Sequence, residues 1–437
     1  MNTQTACPDC KKQLAIPAGF TLWCPDCEWN LQPEKDAGTA YQTVFDLYYL
    51  KFSEKLGLQL FEHLKSENLI EKNDLGKVTG LALAFSLAVL AVYLAMAGGA
   101  LLILLLFWGR FFWTVLACMM LGFVFLATPK GKKAPHEPHE LSSRQELPQL
   151  YTLFDQLCGV LALQPIDGIV LNHAYNAAVT VYKGKRYLHL GLSMWQMLTP
   201  EERLSLLGHE LGHLRHEDPI KAKLPAWAIS VLFQTGNAIC PGNLGPRYEG
   251  DLFIEDRAAL DLAELMLIPI NWLLALIAHG FWGLGDVLLG FLWADSQRAE
   301  YRADLNSLAL APLEACLSDL EKTGLEDFLN DQARQMIIKR ETGEPAQLYK
   351  QALARWENLP TYERERRRRL LKKESHRVDA THPCTSFRLE MLSHQASRVQ
   401  PLTLPPIDWL ALDSELAPQV EIQAGKWIDQ VRAEMYA

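Results

Sequence analysis

Five consecutive residues, His209-Glu210-Leu211-Gly212-His213, combine two imidazoles with one carboxylate. On an α-helix, positions i and i+4 share a face, so both imidazoles can reach one metal ion. Glu210 lies beside the first of them and can take a proton from a metal-bound water without being a ligand. The chemistry this points to is metal-assisted hydrolysis. A catalytic zinc needs a third protein ligand and an open position. A third histidine at the spacing His-Glu-x-x-His-x-x-Gly-x-x-His is absent, because position 219 is Pro. The ligand must come from farther away. Glu300 and Asp304 stand at i and i+4 in the stretch 296–304, which reads as a second helix. Glu300 is expected to bind the metal, and Asp304 to orient a ligand imidazole.

A second metal set lies at the other end of the chain. Cys7-x2-Cys10-x13-Cys24-x2-Cys27 has the spacing of a zinc ribbon, in which two knuckles complete a tetrahedron of thiolates. Cys118, Cys158, Cys240, Cys316 and Cys384 are scattered. Residues 1–12 carry no basic-then-apolar stretch, so the paired cysteines read as metal ligands in a reducing compartment and not as disulfides. Two zinc ions are therefore expected, one catalytic and one structural. Such ribbons bind proteins, bind nucleic acid or serve only as structure.

The elements that must position these residues can be read in part. Thr199-Pro200-Glu201-Glu202 is a helix start, with Thr199 as cap and Glu202 closing a capping box. Leu204, Leu207, Leu211 and Leu214 continue that helix. Residues 146–163 read as another helix. Residues 169–171, 177–182 and 187–190 read as strands, with a hairpin turn from Lys183 to Arg186.

Between Lys77 and Lys130 lie 52 residues whose only charge is Arg110. That run is long enough for two membrane spans, turning at Gly98-Gly99 or at Trp108-Gly109-Arg110. Lysines on both flanks place both ends in the cytoplasm. The apolar stretches 224–241 and 265–293 read as core helices of the catalytic domain, with two further crossings as the alternative. Asn271, His279 and Asp286 would form a polar stripe facing protein or a wet cavity.

The expected organisation is a zinc ribbon (1–35), an amphipathic helical lead-in (36–77), two transmembrane helices (78–128) and a linker (129–145). A zinc metallopeptidase domain (146–400) and a C-terminal extension (401–437) complete it. The fold class is α+β, mainly α, with a small β-sheet in a zincin-like domain. A net charge of -9 argues against a general nucleic-acid binder. The exception is 364–377, with eight Lys or Arg residues, which reads as a solvated face or a contact with anionic lipid.

His209-Glu-Leu-Gly-His213 followed by Glu300-Tyr-Arg-Ala-Asp304 resembles the membrane zinc metallopeptidases of the HtpX and CAAX prenyl endopeptidase type. The resemblance spans roughly 146–392 and does not include the ribbon. It implies a substrate-binding edge strand at Asn176, Ala177, Ala178, Val179 and Thr180. It also implies a late His-Pro…Arg element at His382 and Arg388. A proline after His382 restricts its backbone to an extended form, a way to aim a side chain. His382 and Arg388 are expected to serve the transition state, as donors to the oxyanion or by positioning the ligands.

These readings converge on an integral-membrane zinc endopeptidase, in a bacterial inner membrane, with catalytic domain and ribbon in the cytoplasm. Its expected partners are protein or peptide substrates, membrane lipid, and a protein recognised by the ribbon. The rival is a zinc-ribbon membrane adaptor whose peptidase-like domain is inactive.

Overall fold

The computed structural model describes residues 2–17, 20–31, 55, 57–66, 77–129, 141–215, 223–240, 262–341, 343–372 and 382–436. The chain divides into two compact units. The first comprises Met1–Lys72, Ala134–Pro219 and Ser296–Ala437, and the second Asn73–Lys133 and Ile220–Asp295.

The first unit opens with a two-stranded antiparallel sheet, β1 (Asn2–Ala6) and β2 (Gln13–Pro17). Its larger part is built on a four-stranded sheet of order β3-β4-β6-β5. Those strands are β3 (Leu141–Ser142), β4 (Gly168–Asn172), β5 (Ala177–Tyr182) and β6 (Lys185–Gly191). Tyr182 pairs with Lys185, so the β5–β6 loop is the two residues Lys183 and Gly184. Both have positive φ, 49° and 82°. That is the twist a two-residue hairpin requires, and glycine adopts it without steric cost. The expected strands and turn are present.

Helix α3 (Pro148–Val160) packs Leu150, Leu153, Phe154 and Leu157 into the main core. After the short α4 (Leu192–Met197) comes α5 (Pro200–Arg215). Its capping box is formed: the Thr199 N–H donates to Glu202 Oε2 at 2.7 Å and the Glu202 N–H to Thr199 Oγ1 at 3.4 Å. Farther along run α8 (Leu313–Lys322), α9 (Glu326–Lys339), α10 (Gln347–Glu357), α11 (Thr361–Lys372), α12 (Thr385–Gln395) and α13 (Trp409–Tyr436).

The expected C-terminal extension is not an appendage. Leu412, Leu416, Val420, Ala424, Trp427 and Val431 recur at helical spacing along α13, and all are buried in the main core. Glu415 caps α3 by accepting from the N–H groups of Gln149 (2.7 Å) and Leu150 (2.9 Å). A carboxylate at a helix N-terminus satisfies its orphan donors and favours its dipole. Of the expected lead-in, residues 57–66 are described and helical. Phe61 there stacks on Phe387 of α12, centroids 4.3 Å apart. Most of 36–77, and residues 130–140 of the linker, lie outside the described residues.

The second unit holds α1 (Lys77–Leu106), α2 (Phe111–Ala127), α6 (Lys223–Ile239) and the first part of α7 (Leu262–Leu310). Gly98 and Gly99 lie inside α1, and the turn falls at 107–110. Gly109 has φ 79° there, whereas a mid-helix glycine costs only about 1 kcal/mol. Two helices, α1 and α7, are long and apolar enough to cross a membrane by length and composition, and α2 is a shorter apolar helix.

One expectation needs correction here. Residues 220–295 do not join the catalytic core but cluster with 73–133. Within that unit Ala82, Ala228, Leu232 and Leu288 form a common buried cluster. The cause is helix shape: Ala275, Ala278, Trp282 and Leu288 make the buried stripe of α7. His279 and Asp286 are exposed and Asn271 is half-buried, and the His279 ring lies 4.9 Å from that of Trp282.

Candidate active site

Helix α5 and the last part of α7 lie unusually close in the first unit. A Cβ on Gly208 would stand 2.9 Å from Ser307 Cα, and one on Gly212 would stand 2.9 Å from Ala303 Cα. Two glycines at i and i+4 face two small residues at i and i+4, and the backbones approach. This pairing was not part of the sequence reading. The spacing Gly208-x3-Gly212 opposite Ala303-x3-Ser307 was the signal for it. The Ser307 hydroxyl fastens the contact by donating to Ser205 O at 2.8 Å.

That approach brings three side chains together. His209 Nε2 and His213 Nε2 lie 3.2 Å apart, their rings at 90°. Glu300 Oε2 is 3.5 Å from His209 Nε2, and its Oε1 is 3.5 Å from His213 Nε2. Two atoms bound to one tetrahedral zinc at about 2.0–2.1 Å stand roughly 3.3 Å apart. The three separations fit that figure.

His382 also joins the cluster, with Nδ1 2.6 Å from Glu300 Oε2. This is a hydrogen-bond length and too short for two ligands of one ion. His209, Glu300 and His382 also offer ligand atoms that lie within 4.8 Å of one another and could hold a metal ion.

Behind the cluster His209 Nδ1 meets Asp304 Oδ1 at 2.9 Å. Arg388 donates to both oxygens of Asp304, from Nε at 3.0 Å and Nη2 at 2.6 Å. All three residues are buried. Burial works against charge on His209, but the bonds to Asp304 and Glu300 outweigh it and push the imidazole up to about 10. Burial likewise opposes charge on Glu300, yet its bonds to His209 and His382 hold it well below the carboxylate range. Asp304 is lowered against its own burial, chiefly by Arg388. The cluster thus stores positive charge on imidazole next to carboxylate, and a metal cation there would take the proton's place.

Glu210 is buried beside these groups, and burial raises its pKa. Its Oε2 accepts from the Val179 N–H of β5 at 3.2 Å. β5 ends the strand order of its sheet, so its outer edge pairs with no strand among the described residues. Asn176 O accepts from Gly191 N on the β6 side, and Val179 N points the other way. By the alternation of a strand, Ala177 and Val179 turn their main chain outward, and Ala178 and Thr180 turn theirs toward β6.

The four cysteines of the N-terminal module form a separate cluster. All four Sγ atoms lie within 4.8 Å of one another, with Cys7–Cys27 at 3.6 Å and Cys10–Cys24 at 3.5 Å. Four thiolates on one zinc at about 2.3 Å would stand roughly 3.8 Å apart. None of the nine cysteines is in a disulfide.

The model of peptidase family M48 matches residues 162–396. No curated protein and no solved structure matches the chain. The matched span covers more than half the sequence and contains His209, Glu210, His213, Glu300, Asp304, His382 and Arg388. Peptidases of this family are zinc metalloproteases, and a cluster of two imidazoles and a carboxylate suits that chemistry. The chain belongs to peptidase family M48.

Proposed function

We propose that this protein is a membrane-anchored zinc endopeptidase, with His209, His213 and Glu300 holding the catalytic ion. The observation that carries the proposal is the convergence of His209 Nε2, His213 Nε2 and the Glu300 oxygens at 3.2–3.5 Å. Zinc bound there supplies a Lewis acid and lowers the pKa of a water toward neutrality.

The protein's own groups do the rest. Glu210 takes a proton from the attacking water on its carboxylate and passes it to the leaving amine. A raised pKa suits both halves of that task. Substrate lies extended along β5, where the outward main chain of Ala177 and the Val179 carbonyl pair with it, the Val179 N–H being held by Glu210. Asn176 and the inward-turned Ala178 and Thr180 keep that edge in register with β6.

His382 braces Glu300 through Nδ1 and leaves Nε2 to face the developing oxyanion. Sequence left Arg388 two roles, and its two bonds to Asp304 favour the second. It is a positioning residue: Arg388 holds Asp304, which holds the His209 ring in the orientation that presents Nε2. Helices α1 and α2 anchor the chain in a cytoplasmic membrane. Lys77, Lys130, Lys132 and Lys133 keep the catalytic unit and the N-terminal module on the cytoplasmic side. The four cysteines hold a second, structural zinc.

Zinc stoichiometry tests this assignment. The intact chain should carry two ions, and His213→Ala or Glu300→Ala should carry one and cleave no peptide. Two ions in Glu300→Ala would remove Glu300 from the ligand set.

A further inference from the structure

The arginine-rich helix α11 and the four-cysteine module lie 339 residues apart in sequence, yet they are joined by a set of specific bonds. The Tyr362 hydroxyl sits between the main-chain groups of Trp23, accepting from its N–H at 2.9 Å and donating to its carbonyl at 2.5 Å. The Arg366 guanidinium donates to Leu31 O at 3.1 Å. Arg369 donates to Pro25 O, lies 3.6 Å from the Glu28 carboxylate and covers the Trp23 ring, 5.3 Å from its centroid. Trp23 is 0% exposed, a tryptophan fully enclosed in a module too small to bury one alone.

The arginines of α11 are otherwise spent within the unit. Arg366 and Arg367 share Glu363, itself buried, at 2.8 and 3.2 Å. Arg368 reaches Glu321 of α8 at 2.9 Å, and Arg369 reaches Glu365 at 2.8 Å. The stretch 364–377, of which 373–377 lie outside the described residues, was expected to form a solvated face or to meet lipid. Each of these four arginines has a carboxylate partner in its own unit, and the Arg368 side chain stays exposed.

The module's accepting groups are main-chain carbonyls at Trp23, Pro25 and Leu31, all in or beside the second cysteine knuckle. That knuckle is held internally by a handful of bonds: Glu28 N to Cys24 O at 2.9 Å, Cys24 N to Trp29 O at 3.0 Å, Leu31 N to Glu28 O at 3.1 Å and the Asn30 side-chain amide to Leu22 O at 2.6 Å. Glu28 and Asn30 adopt φ of 59° and 55°, a left-handed conformation that asparagine tolerates but that is unfavourable for Glu28. A fold this small with such backbone needs the metal to fix it. Without it, the three carbonyls would have no fixed spacing.

We propose that the four-cysteine module is a metal-set clamp on helix α11, and that this helix of its own chain is the partner its Trp23 face fits. The clamp fixes α11, which through Arg368 and Glu321 is tied to α8. The inference rests on the reading that the four cysteines hold zinc, and it makes the Trp23 face unavailable for recruiting another protein.

The test uses the full-length protein in detergent, with zinc content and amide exchange of 361–372 as readouts. Cys10→Ser removes an exposed ligand. It should reduce zinc from two ions to one and speed exchange across 361–372 by roughly tenfold or more, as a local opening would. The double variant Arg366→Ala/Arg369→Ala should keep two ions and show the same acceleration. Two ions in Cys10→Ser would overturn the zinc reading and the clamp with it. One ion with unchanged exchange would overturn the clamp alone, as would unchanged exchange in the arginine variant. Phosphatidylglycerol vesicles should not alter exchange of 361–372 in the intact protein. Added protection by them would reassign the helix to a lipid surface.

Discussion

His382 Nδ1 lies 2.6 Å from Glu300 Oε2, so the late His-Pro element reaches across 82 residues to the carboxylate expected to bind the metal. The two roles given to His382 can be separated. His382→Ala should lower kcat roughly 10²–10³-fold through loss of the oxyanion donor. It should also weaken zinc binding about 10–100-fold, because Glu300 loses its brace. His382→Asn places an amide nitrogen near the Nδ1 position and should restore zinc affinity but not kcat. Unchanged kcat in His382→Ala would remove it from the mechanism.

Close helix approach should control metal affinity. In Gly212→Ala the added Cβ would meet Ala303 Cα at 2.9 Å and Asn306 Nδ2 at 3.0 Å. Pushing α5 and α7 apart should destabilise the fold by about 1–3 kcal/mol. It should also weaken zinc binding by moving His209 and His213 away from Glu300. Zinc titration of the variant, beside its thermal unfolding, checks both, and unchanged affinity would mean the approach is not what sets the ligand spacing.

Asp319 supplies a pH prediction. Its side chain is buried, Oδ1 has no hydrogen-bond partner among the described residues, and burial pushes its pKa up to about 7. In an unfolded chain an aspartate titrates near 3.9. Between these values the folded state binds more protons than the unfolded one, so stability falls as pH rises from about 4 to about 7 and is then level. Asp319→Asn should abolish that part of the decline. Thermal inactivation of both proteins across pH 4–8 measures it, and parallel pH profiles would show that Asp319 is ionised in the fold.

Topology can be checked by labelling from outside intact cells, in a background lacking other exposed cysteines. A cysteine at 108, in the turn between α1 and α2, should react, and one at 140 should not. Reaction at 140 would place the catalytic unit outside the cytoplasm.

Much of the site was legible because its information is local. The pair His209 and His213, the capping box at Thr199–Glu202 and the pair Glu300 and Asp304 each lie within one or two helical turns. The Lys183–Gly184 turn was legible for the same reason. What periodicity does not carry is the identity of a partner element. Leu412 through Val431 show an apolar stripe, but nothing in their spacing says that it closes the main core. The stretches 224–241 and 265–293 read as core helices of the catalytic domain because their apolar character names no partner, and they cluster with 73–133. The bonds from Tyr362 and Arg366 to the cysteine module are made to main-chain carbonyls, which leave no mark in sequence.

The central claim is that Glu210 is the base of a zinc-dependent peptide hydrolysis. The most direct measurement is turnover of an unstructured peptide by purified Glu210→Gln, with zinc content determined on the same sample. The account predicts two zinc ions per chain and a fall in kcat of roughly 10²–10⁴-fold or more. Near-normal turnover at full zinc content would contradict it.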